Sequence, residues 1–211
     1  MPMVAEQLLE WDARTFDERV ERWTALRQLT DPPLHGWCLP GDLIAASAWW
    51  EAGRSFVGGN FIATVILTQD FVERSLFSLL GGAGKLVGQK PGFAQLIAEA
   101  AAAGVLSEAL AARLHELRRL RNPYVHNDRD SWPPRFVERA WTEADGDPYA
   151  LTAEDARGAL ETGAIYIRGI TRRWAKAAQE PNGARFFVGR PNKPLHVTPG
   201  LAPSGRSVRR R

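Results

Sequence analysis

"LRRLRNPYVHND", residues 117–128, closes a leucine-rich segment with an arginine, a proline and a histidine. Upstream of it, Leu110, Leu114 and Leu117 recur at i, i+4 and i+7, the spacing of one buried helical face, and Ser107 precedes them as an N-cap. The pattern predicts a helix from there to about Arg121. Arg121 lies eleven residues after Leu110, about 20° from it on a wheel of 100° per residue, so its side chain is expected on the leucine face. Arg113 and Arg118 point elsewhere. Pro123 has no N–H to donate and biases Asn122 away from the α region. Both constraints are met if Asn122 is the N-cap and Pro123 the first residue of a fresh helical turn. Arg121, the positive end of that new turn and His126 would then make a local anion site, with a phosphodiester as the natural occupant.

The neighbouring segments read as helices too. From the N-cap Asp42 an apolar segment runs to about Ser55, pauses at Gly58-Gly59-Asn60 and resumes to Leu80. On the wheel of 61–80, Gln69 and Glu73 share the stripe of Val65, Val72 and Leu76. Burying two polar side chains there requires a partner, since an unpaired neutral group costs about 2–7 kcal/mol and a charge more. "FAQLIAEAAAAG" (93–104) is a short alanine-rich helix closed by Gly104. After a long loop, "DRDSWPPRFVERAWTEADGDP" (128–148), a last helix is expected from Thr152 to about Ala178, with Asp155 in capping-box position and a stripe of Ala156, Leu160, Gly163, Ile167, Ile170 and Trp174. Residues 4–29 form an amphipathic helix set off by the Pro-rich loop after it. The class is all-α: a bundle of four to five helices over 42–180, an N-terminal helical arm with its loop over 1–41, and a Pro/Gly-rich tail over 181–211 expected to be disordered.

Composition bounds the function. The 211 residues are 45% hydrophobic and 24% charged, those of an ordinary globular chain with one core. The tail carries seven basic groups and no acid; since the whole chain has a net charge of +3, residues 1–180 are left at −4. A mildly acidic body is not a surface for coating polyanions, so nucleic-acid contact there must be local, with the tail adding at most a nonspecific attraction. There is no signal pattern and no apolar run of membrane-spanning length, so a cytoplasmic protein without a membrane partner is expected. Cys38 is the single cysteine, and the four histidines show no ligand spacing, so neither a metal nor a cofactor is called for. "GGAGKL" (81–86) lacks the first glycine and the Ser/Thr of a phosphate loop and reads as a helix end.

Arginine offers a fixed fork of donors to two phosphate oxygens, and histidine both takes and gives a proton near neutral pH. The competing structural reading has Arg121 paired with Glu73 as a buried bridge and His126 capping a helix. With its helical setting, RNPYVH (121–126) resembles the HEPN domain superfamily, an α-helical bundle carrying an R-x(4–6)-H motif, often R-N-x-x-x-H. The resemblance covers roughly residues 42–178. It implies a metal-independent endoribonuclease acting on RNA as a homodimer, whose two motifs face one another in a composite cleft. Arg121 would hold and polarise the scissile phosphate, and His126 would act as general acid or base. Asn122, Glu73, Tyr124 and Asp128 would support them, with Arg118, Arg119 and Trp132 contacting substrate. The product would carry a 2′,3′-cyclic phosphate. Many relatives are toxins, phage-defence effectors or RNA-processing enzymes, so the resemblance extends to an antitoxin or regulatory partner. Asp128 stands where the subgroup paired with a nucleotidyltransferase antitoxin has a tyrosine. Two other readings remain: a noncatalytic helical module that binds a partner protein or nucleotide, and a DNA-binding protein acting through its tail.

Overall fold

The computed structural model describes residues 2–30, 39–82, 84, 91–125 and 136–179. Within these the chain is all-helical, with α1 (Pro2–Thr30), α2 (Leu43–Val57), α3 (Phe61–Gly82), α4 (Phe93–Ala102), α5 (Glu108–Val125), α6 (Phe136–Glu143) and α7 (Pro148–Gln179). No helix among the described residues is long and apolar enough to cross a membrane.

Local chemistry sets most boundaries. Asp42 Oδ1 accepts from the Ala45 N–H at 2.8 Å, and Ser107 Oγ accepts from that of Leu110 at 3.3 Å, so both expected N-caps satisfy an orphan donor of their helices. The turn between α2 and α3 needs Gly59 at φ +80°, where a side chain would be strained.

α3 and α7 run through the centre. Val65, Val72, Leu76 and Leu80 of α3 meet Ala156, Leu160, Ile167 and Ile170 of α7 in one core that also takes the leucines of α5. Gly163 lets α7 approach closely: a Cβ there would lie 2.5 Å from the Trp49 ring and 3.1 Å from Thr68 Cγ2. Trp49 packs on Phe71 with ring centroids 5.3 Å apart, and the Tyr166 hydroxyl, fully buried, shares a 2.6 Å hydrogen bond with Ser75.

The pairings fix which ends lie together. Tyr124 of α5 reaches Asp155 of α7, and Leu110 lies beside Gly169, so the two helices are antiparallel and α5 ends where α7 begins. Phe61 stacks against Tyr149 at 5.0 Å, which puts the start of α3 at that same end. There α1 docks as well: Arg22 Nε donates to Val57 O at 3.0 Å, its guanidinium lies 5.8 Å from the Phe61 ring, and Leu26 packs over Gly53.

Four details outside α5 differ from the sequence expectations. The long loop contains α6, supported by Arg139 and Glu143 at i, i+4. α7 begins a turn before Thr152, because Asp147 Oδ1 takes the Tyr149 N–H at 2.8 Å and Pro148 suits the first helical position. Asp155 is therefore no cap; it is a buried acid inside the helix. Finally, α1 is only partly an arm, since Ala25, Leu26 and Leu29 join the core.

Candidate functional site

The turn that carries Arg121 does not break where expected. α5 continues through Pro123 to Val125 as one helix, so Asn122 is an interior residue, 8% exposed, and no new N-terminus opens beside Arg121. Pro123 deprives the Arg119 carbonyl of its i+4 donor and crowds it, but the loss falls in the last turn and is confined there. Tyr124 holds that turn in place. Its ring meets Phe136 edge-on at 5.7 Å, and its hydroxyl donates to Asp155 Oδ2 at 2.5 Å.

Asp155, only 5% exposed, also accepts a fork from Arg139: Nη1 to Oδ2 at 3.0 Å and Nη2 to Oδ1 at 2.8 Å. Arg139 in turn donates from Nε and Nη2 to Glu143. The carboxylate is thus surrounded by a bidentate guanidinium and a phenol, the arrangement that makes a buried charge tolerable. Burial and then the bond to Asp155 push the Tyr124 phenol well above its ordinary range, and the same carboxylate raises Arg139 further against the opposing effect of burial. The cluster of Tyr124, Asp155 and Arg139 pins the end of α5 to the starts of α6 and α7.

Arg121 sits half-buried one turn before this latch, and Arg118 half-buried one turn before Arg121. The Arg118 Nε is buried without a hydrogen-bond partner among the described residues. Two guanidinium groups at i, i+3 thus lie on neighbouring turns at the latched end of the bundle. Arg119 points outward and pairs with Glu116. Glu73 accepts a hydrogen bond from Gln69, whose Nε2 donates to Glu73 Oε2 at 3.3 Å. Side chains at i, i+4 on one helix meet without crossing the bundle, so this pair answers in part the expectation that the two polar groups of the α3 stripe need a partner; Gln69 Oε1 is buried without a hydrogen-bond partner among the described residues. His126, Asp128 and Trp132 lie outside the described residues.

The latch itself was not apparent in the sequence. Asp155 read as a cap and Arg139 lay in the expected loop; Asp155 falls about 60° or more off the stripe of Ala156, Ile167 and Ile170, so no periodic signal marked the pair. Among the described residues no three His, Cys, Asp or Glu side chains are grouped to hold a metal ion. The fold and the latched turn define an all-α bundle with an arginine pair at one end. Comparison with family models, curated proteins and solved structures yields no match.

Proposed function

We propose that the chain is a metal-independent endoribonuclease of HEPN type, acting on RNA as a homodimer in toxicity or phage defence. The observation that supports it most is the setting of Arg121: half-buried, a turn after Arg118, and in a helical turn held from the other side by Tyr124, Asp155 and Arg139. A transition-state donor must be fixed in advance of the reaction to be effective, and this turn is fixed. The sequence carries His126 immediately after it.

In the proposed reaction the RNA 2′-hydroxyl attacks the adjacent phosphorus and the bond to the 5′-oxygen breaks. A 2′,3′-cyclic phosphate remains on one product and a 5′-hydroxyl on the other. The 2′-proton leaves to a base and a proton is delivered to the departing oxygen; His126 serves one of these transfers. Arg121 binds the non-bridging oxygens, and Arg118 adds positive charge a turn away. Asn122, buried, shapes the turn without contacting substrate. An antitoxin or other regulator as partner belongs to the same reading.

The test is cleavage of single-stranded RNA by purified protein in EDTA. Wild type should cleave, and Arg121→Ala and His126→Ala should each lose about 10²–10⁴-fold. Equal rates for wild type and His126→Ala would remove the catalytic assignment and leave a binding module.

A further inference from the structure

The N-terminal half of α1 is exposed on every side: all residues from 4 to 14 are solvent-facing. From Pro2 to Glu18 the helix extends about 25 Å, and Arg22 ties the following turn to the bundle by its hydrogen bond to Val57. A helix this short is marginal in water without a packing partner, yet it carries large apolar side chains. Leu9, Ala13, Phe16, Val20 and Trp23 follow one another at intervals of 4, 3, 4 and 3, five successive seam positions of a heptad. None of them is used by the bundle: Leu9 is 71%, Phe16 57%, Val20 47% and Trp23 54% exposed.

We infer that this seam is the docking surface for α1 of a second copy of the chain, the two helices packing antiparallel. Heptad spacing selects a helix as occupant, because knobs at seam positions need holes made by a facing helix. Charge selects the copy and its direction. The next seam positions beyond the apolar five are Glu6 at one end and Arg27 at the other. Parallel pairing would set Glu6 against Glu6 and Arg27 against Arg27, and would bring Asp12 beside Asp17 along the flank. Antiparallel pairing brings Glu6 of each copy within about a turn of Arg27 of the other, at both ends. The two half-exposed aromatics with Leu9 and Val20 offer about 500 Å² of apolar surface per copy, so pairing buries about 1,000 Å², the lower bound for a specific interface. A two-fold contact of this kind closes on itself and goes no further than a dimer.

The pairing stands on exposure, spacing and charge and does not rest on the ribonuclease reading. It does bear on it: α1 leaves the bundle at the end where α5 finishes, so antiparallel arms turn the two Arg121-bearing ends toward one another.

Light scattering on the full chain across a concentration series tests the inference. Wild type should have twice the mass of one chain at tens of micromolar. Phe16→Glu/Val20→Glu should be monomeric with unchanged melting, since neither side chain is in the core, and Arg14→Glu, off the seam, should remain dimeric. Glu6→Arg should weaken the dimer several-fold, and adding Arg27→Glu in the same chain should restore it. A wild-type monomer, whether alone or taking up a different helical protein, would overturn the proposal, as would a dimer indifferent to Phe16→Glu/Val20→Glu. Charge variants without effect would overturn the antiparallel arrangement.

Discussion

Replacing Asp155 with alanine removes the acceptor shared by Tyr124 and Arg139 and leaves the guanidinium fork without its buried partner. Breaking a buried pair from one side costs about 3–5 kcal/mol. Arg139 keeps Glu143 and some access to water, its side chain being 19% exposed, which places the expected loss at the lower end, about 3 kcal/mol. For a chain of this length that lowers the melting temperature by about 6–12 °C. Tyr124→Phe removes one hydrogen bond to a charged acceptor and should cost about 1.5–3 kcal/mol. Glu143→Ala touches only the half-exposed outer pair and should cost less than about 1 kcal/mol. Thermal melts of the three variants at pH 7 give the ranking directly. If Asp155→Ala melted within about a degree of wild type, the latch would not be holding the end of α5, and the stiffness claimed for the Arg121 turn would go with it.

Alkaline pH should destabilise the fold through its tyrosines. Burial raises both Tyr124 and Tyr166 above their ordinary range, so the folded state keeps protons that the unfolded chain releases. Stability is therefore full below about pH 10 and falls above it by about 1.4 kcal/mol per pH unit per tyrosine. Chemical denaturation between pH 9 and 11.5 should show this slope, and Tyr124→Phe/Tyr166→Phe should flatten it. Gly163→Ala should destabilise by about 1–3 kcal/mol, although alanine is the better helix former, because its methyl would drive into the Trp49 ring; a melt above that of wild type would contradict the close approach. In the RNA assay, Arg118→Ala should lower cleavage by less than Arg121→Ala, and Arg119→Ala, whose side chain is engaged outward with Glu116, should change it least.

The helical class and most boundaries were legible because local rules decided them. Asp42 and Ser107 cap as expected, Gly58-Gly59-Asn60 breaks the chain between α2 and α3, and Gly104, at φ +65°, follows α4. The stripe from Ala156 to Ile170 is buried as its spacing required. Pro123 misled because its local cost, one missing donor, was offset by contacts made from elsewhere in the chain: the Tyr124 ring on Phe136 and its hydroxyl on Asp155. Such anchors come from residues 12 and 31 positions away, and no periodicity reveals them. Glu73 shows the opposite case. Its place on the α3 stripe pointed to a partner across the bundle, whereas the hydrogen bond it accepts comes from Gln69, one turn away on the same helix.

The most direct measurement is the chemistry of the cleaved ends. A 5′-labelled single-stranded RNA incubated with the purified protein in EDTA should give labelled products ending in 2′,3′-cyclic phosphate, and a fully 2′-deoxy strand of the same sequence should stay intact. Products ending in a 3′-hydroxyl, or cleavage of the deoxy strand, would contradict attack by the 2′-hydroxyl and with it the role given to Arg121 and His126.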